Sequence, residues 1–159
     1  MSSEVDPGLR AHYCFGCGRH NPFGMHLEFE RAGDGVVASY TTRREDQGFP
    51  GMLHGGLLAL LLDEAMGWAL YADRIFAVTA RMETRFRRPA TLDEALTVRG
   101  RITRNRGRRI EVAGEVIDAG GACLVEASGL FLRMRPDAEA SALARFQSEF
   151  GSGAAWRDA

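Results

Sequence analysis

The chain has 159 residues, 45% of them hydrophobic and 26% charged, with a formal net charge of -1. That length corresponds to one domain with a real core, burying roughly 70% of its unfolded surface, and the near-neutral balance gives no electrostatic case for a nucleic-acid partner. Met1–Arg10 holds no apolar signal region, Leu57–Leu62 is too short to span a bilayer and three cysteines make no disulfide framework, so a soluble cytoplasmic protein is expected.

Met1–Arg10 reads as a flexible lead-in, and Gly, Pro and Asn punctuation makes His12–Gly24 a loop. Partial alternation over Met25–Arg31 (Leu27 and Phe29 against Glu28 and Glu30) predicts a strand. The Gly33-Asp34-Gly35 turn then hands over to an antiparallel partner at Val36–Thr42. Arg43–Leu53 is a polar, then Gly/Pro-rich, loop.

Gly55–Ala72 is the one strong helix. It is rich in Leu and Ala, lacks Pro and β-branched residues, and is apolar almost all round, which marks a buried helix. Four strand-like runs follow: Phe76–Arg87, Ala95–Asn105, Arg108–Asp118 and Ala122–Arg135. Arg88-Pro89-Ala90, Asn105-Arg106-Gly107 and Ala119-Gly120-Gly121 separate them. Short links between consecutive strands predict antiparallel neighbours in series. Asp137–Phe150 reads as a short terminal helix, and Gly151–Ala159 as a flexible tail. The fold class is α+β, one apolar helix against one curled antiparallel sheet, in a single domain over residues 1–159 with its core at about 12–135.

Asp63 and Glu64 sit in the most apolar segment, where a carboxylate is costly unless bonded or paired. Asp63 shares a helical stripe with Gly56, Ala59, Leu60 and Gly67, small residues that admit a close neighbour. Such an acid is either structural or functional. His54-Gly55-Gly56 opens the helix with free backbone N–H groups, a place to stabilise negative charge developing on an oxygen. His54 there is a donor, a base or a cap.

The run Gln47-Gly48-Phe49-Pro50-Gly51-Met52-Leu53-His54-Gly55-Gly56, with Asp63, Val78-Thr79-Ala80 and Phe86-Arg87-Arg88-Pro89, resembles the phenylacetate-pathway (PaaI-like) type of hotdog-fold thioesterase, within the 4-hydroxybenzoyl-CoA thioesterase superfamily. Cys14-Phe15-Gly16-Cys17-Gly18 and Asn21-Pro22-Phe23-Gly24 resemble the lead-in of many such proteins. The likeness covers roughly residues 12–135.

The resemblance implies a long helix wrapped by a five- to six-stranded antiparallel sheet, and a homodimer joined sheet edge to sheet edge, often as a dimer of dimers. Its active sites lie between subunits, Asp63 from one and His54–Gly56 from the other. It implies hydrolysis of an acyl-CoA thioester with no cofactor and no metal. Gly55 N–H polarises the carbonyl, and Gly56 lets the backbone approach. Asp63 is general base or nucleophile, Thr79 positions the water or the acid, and His54 orients the loop. Gln47 takes the polar loop role, although several relatives carry a polar residue where Gly48 stands here. Arg87, Arg88, Arg108 and Arg109 are candidates for the CoA phosphates, since arginine forks suit them.

Other readings start from the same residues. A non-catalytic acyl-CoA binder is the alternative function, and a hotdog dehydratase a further one. Cys14-x-x-Cys17 with His20 and His26 offers a zinc set, but at no standard spacing. Cys123, Trp68, Phe86 and Phe131 read as packing, and Met52, Leu53 and Leu60 as core before acyl pocket.

Overall fold

The computed structural model describes residues 10–150. The segments 1–9 and 151–159, read above as flexible, lie outside the described residues. Strands β1 (Glu30–Ala32), β2 (Gly35–Thr41), β3 (Ala77–Phe86), β4 (Ala95–Arg106), β5 (Arg109–Ile117) and β6 (Cys123–Arg133) form one antiparallel sheet. The helices are α1 (Gly55–Ala72) and α2 (Pro136–Phe150). Among the described residues no helix is long and apolar enough to cross a membrane.

Helix α1 begins and ends where its sequence predicts. It packs on the sheet through Leu58, Leu61, Leu62, Ala65, Met66 and Ala69, all buried. Full burial of each large aliphatic side chain is worth about 1.5–3 kcal/mol. The helix comes close because β4 carries Gly100: a Cβ there would lie 2.1 Å from Ala65 O. Trp68 and Phe131 are core residues, with Trp68 stacked on Phe29 at 5.8 Å. Proline at the first position of α2 and acids in its first turn explain where that helix starts.

The series of neighbours expected after α1 is wrong for β3. The sheet order is β1-β2-β4-β5-β6-β3, so β3 pairs with β6 and β4 with β2. The link 87–94 is the reason. Its Ala90 is buried and its carbonyl accepts from Leu53 N (2.9 Å), Thr91 bridges Met52, and Glu94 exchanges bonds with Thr42. These bonds carry the chain across the loop ahead of α1 to the end of β2. Strand β3 is left at the sheet's edge.

Met25–Arg31 also departs from expectation. Met25, Leu27 and Phe29 do point inward, but only Glu30–Ala32 is strand. The Met25 and Leu27 N–H groups donate instead to Phe15 O and Gly16 O, at 2.8 and 2.9 Å. Arg10, read as part of a loose lead-in, is buried. Its guanidinium pairs with Glu28 at 2.6 Å and donates to Cys17 O and His26 O, which fastens the loop 12–24 to the body.

Candidate active site

The start of α1 is organised by His54. At the N-cap position (φ -64°, ψ 130°), its Nδ1 accepts from Gly56 N at 2.9 Å, while its carbonyl accepts from Leu57 N and Leu58 N. Side-chain capping of this kind satisfies one of the orphan donors of a helix start. Gly55 N–H is left without a partner among the described residues. No Cβ shields it, and one added there would touch only the Phe86 ring, at 3.5 Å. Gly56 has a local use as well: a Cβ there would lie 3.0 Å from His54 Nδ1, so its bareness lets the imidazole fold back.

Gln47 Oε1 accepts from Gly51 N at 3.0 Å, holding the loop 47–51. Gly48 packs so closely that a Cβ would lie 3.0 Å from His54 Cα. A side chain at that position therefore needs a shifted loop.

Asp63 lies two turns further along α1, half-buried. Thr79 of β3 donates its hydroxyl to Asp63 Oδ1 at 2.8 Å. A break in the β3–β6 register between Thr79 and Arg81 stands beside this contact, a common device for re-aiming a strand residue.

The four arginines separate into two groups. Arg87 N and Arg88 N donate to Leu124 O at the start of β6, whereas Arg108 O accepts from Arg133 N at its end. Nine residues of strand put the groups roughly 30 Å apart. Arg87 and Arg88 follow Phe86, whose ring lies by Gly55, so they are on the side of the helix start. Arg87 pairs with Glu126 at 2.5 Å.

Residues 50–125 match the model of the Thioesterase superfamily. The bovine acyl-coenzyme A thioesterase THEM4 is 30% identical over 92 residues, 57% of this chain and 38% of that protein. A crystallographic thioesterase superfamily protein is 35% identical, with a TM-score of 0.72, over 76% of this chain and 63% of the other. These likenesses converge on one family description, that of the thioesterase superfamily. A hypothetical thioesterase of Streptococcus pneumoniae, solved with coenzyme A, shares the fold at a TM-score of 0.64 and 21% identity, over 68% of this chain and 85% of that one. The chain therefore spans less than half the length of the bovine relative.

One part of the site escapes sequence reasoning. Asp46, read only as loop, is buried. Its carboxylate accepts from the Tyr40 hydroxyl, from Arg43 N (2.8 Å) and from the Arg43 guanidinium (2.9 Å), and its carbonyl accepts from His54 N (2.9 Å). Burial opposes the charge, but the bonds from Arg43 and Tyr40 prevail and hold the carboxyl below its ordinary range. Burial first, then Asp46, keeps the Tyr40 hydroxyl protonated well above its ordinary range. This network anchors the loop that delivers His54 and Gly55. The Arg43/Asp46 spacing was the available hint.

The fold also leaves Phe49 and Phe86 largely exposed, so Phe86 is not the packing residue expected, and Cys123 is half-exposed rather than core. Leu53 is buried, while Met52 and Leu60 are half-buried. About a quarter-turn of α1 from Asp63, Cys14 Sγ lies 3.2 Å from Glu64 Oε1. The Cys17 thiol beside it holds Cys14 down to about 5, and the contact with Cys14, with burial, pushes Cys17 up. Burial, then the Cys14 charge, lifts Glu64 to about 8. His20 and His26 do not join this group: the His26 ring is 2.6 Å from Asn21 O, and His20 packs edge-on to Tyr13.

Proposed function

We propose that the chain hydrolyses acyl-CoA thioesters at sites shared between two copies of itself. One observation carries this reading. The free Gly55 N–H and the Thr79-bound carboxylate of Asp63 lie on one helix, eight residues and therefore about 12 Å apart along its axis. A carbonyl carbon attacked by a water within reach of Asp63 lies too far from Gly55 of the same chain for its oxygen to meet that N–H. A second copy supplies the missing half.

The edge strand β3 supports that arrangement. Val78 and Thr79 are exposed on it, and its outer backbone edge is free to pair. Two β3 strands pairing would join two sheets and bring Asp63 of one copy towards Gly55 of the other. A homodimer is the minimal catalytic unit, and a dimer of dimers the next assembly. The single domain over 1–159 belongs to the same reading.

The chemistry needs no cofactor. Thr79 occupies Asp63 Oδ1 and leaves Oδ2 to take a proton from water as the water oxygen bonds to the thioester carbon. Gly55 N–H, at the positive end of α1, stabilises the oxyanion. When the tetrahedral intermediate collapses, the C–S bond breaks and the proton on Asp63 passes to the departing CoA sulfur, giving free acid and CoA. His54 fixes Gly55 by capping Gly56, and Gln47 holds the loop. Arg87 and Arg88 stand where the CoA phosphates would lie, with Arg108 and Arg109 at the remote end of the sheet.

The relatives support this reading. The bovine protein is an acyl-coenzyme A thioesterase, and the pneumococcal one was solved with coenzyme A. Variants of the latter replace an aspartate and a threonine sixteen positions apart, the spacing of Asp63 and Thr79. Release of CoA thiol across a panel of acyl-CoA substrates tests the reading. Turnover that falls about a hundredfold or more in Asp63→Asn agrees with it. Full activity in that variant removes Asp63 from the mechanism. Tight acyl-CoA binding without hydrolysis by the wild type makes the chain a binder instead.

A further inference from the structure

The thioester chemistry leaves Cys14, Cys17 and Glu64 unused, although the fold brings them together from opposite sides of the sequence. Glu64 follows Asp63 on α1, and one residue of helix turns it about 100° away, towards the loop 12–24 instead of β3. Cys14 Sγ, Cys17 Sγ and a Glu64 carboxylate oxygen all lie within 4.8 Å of one another, with Cys14 Sγ and Glu64 Oε1 at 3.2 Å. Donors placed tetrahedrally around a zinc-sized ion, with bonds of about 2.3 Å to sulfur and about 2.0–2.2 Å to oxygen, stand roughly 3.5–3.8 Å apart. Small side-chain rotations close the present triangle onto that geometry.

The backbone is arranged for this group as well. Gly18 N donates to Cys14 O at 2.9 Å, closing the turn that puts both sulfurs on one side. Gly16, between the cysteines, sits directly on the acid: a Cβ there would lie 2.3 Å from Glu64 Cγ and Cδ. Only a bare residue lets the loop descend that far. Cys14 N donates to His12 Nδ1 at 3.0 Å, Arg19 N to Arg10 O at 2.8 Å and Leu27 N to Gly16 O at 2.9 Å, so the loop is held before any ion arrives. Two thiols and a carboxylate, with Cys17 buried and Cys14 and Glu64 half-buried, form a soft, anionic donor set, of the kind that favours zinc over hard cations such as magnesium or calcium.

We propose that Cys14, Cys17 and Glu64 bind one zinc-class divalent cation that pins the loop 12–24 to α1 beside Asp63. The ion displaces the protons of both thiols and leaves Glu64 as carboxylate. Three protein donors leave one coordination position for water. This differs from the Cys/His set the sequence offers, because the third donor comes from fifty residues further on and neither His20 nor His26 takes part. It stands apart from the thioesterase reading, since none of the three touches the reacting atoms.

The test uses the full chain, purified under reducing conditions and titrated with Zn²⁺ against a chromophoric chelator and, separately, with Co²⁺. The expected result is one ion per chain, a sulfur-to-cobalt charge-transfer band with tetrahedral visible bands, and a thermal midpoint that rises with the ion and falls on chelation. Glu64→Gln weakens binding by at least about tenfold, Cys14→Ser with Cys17→Ser abolishes it, and Asp63→Asn leaves it intact. Should the serine variants not fold, the charge-transfer band of the wild type carries the test alone. Absence of stoichiometric binding by the reduced wild type, a cobalt adduct without thiolate bands, or thiols that stay freely reactive in excess zinc would each overturn the proposal.

Discussion

Thr79 donates its hydroxyl to Asp63 Oδ1 at 2.8 Å, joining the edge strand β3 to α1 across sixteen residues. A hydroxyl so placed fixes the carboxylate's rotamer and leaves one oxygen for water. Thr79→Val keeps the shape and removes the donor. A hydrogen bond to a charged group is worth enough to lower kcat about ten- to a hundredfold. KM should change little and the fold should hold, because Thr79 is exposed. Steady-state kinetics with circular dichroism check this; an unchanged kcat removes Thr79 from the site.

Gly55 can be tested at its N–H alone. It is the first residue of α1, where proline is tolerated, and His54 before it is already extended at ψ 130°. Gly55→Pro therefore deletes the donor while keeping the helix. The expected loss is about 10²–10³ in kcat, with the thermal midpoint little changed. A fully active, folded Gly55→Pro protein contradicts the oxyanion assignment.

Asp46 predicts an acid limit to stability. Its folded carboxyl titrates below the ordinary value of about 3.9. Above that value the group is charged in both states and its bonds to Tyr40 and Arg43 count in full. As pH falls from there through the lower folded value, the unfolded state takes up its proton first and the stabilisation is lost. Asp46→Asn should be less stable at neutral pH and show a shallower decline between about pH 5 and 3. Its turnover should fall too, since Asp46 O holds His54 N. Urea denaturation across that range reads the slope; parallel profiles for both proteins would count against the network.

Local signals were readable in the sequence where local physics decides. Helix α1 spans the predicted Gly55–Ala72, because Leu and Ala without β-branching or proline leave no rival conformation. Strands β4, β5 and β6 lie within two residues of their alternating runs. Pairing was not readable for β3, because the bonds of Ala90, Thr91 and Glu94 to distant loop residues fix its partner. The site shows the same division. Asp63 and Thr79, both picked out by their motifs, are hydrogen-bonded, whereas Asp46 holding His54, and Glu64 against Cys14, depend on contacts that no spacing announces.

In the proposed mechanism Asp63 and Gly55 act on one carbonyl from two different chains. Asp63→Asn and Gly55→Pro, each inactive alone, are unfolded together, refolded as a mixture and assayed for CoA thiol release. In a two-fold dimer each mixed pair rebuilds one intact site and one doubly defective site, so random mixing restores about a quarter of wild-type activity. A mixture that forms mixed dimers yet stays as inactive as its components would place the whole site in one chain and rule out a site shared between subunits.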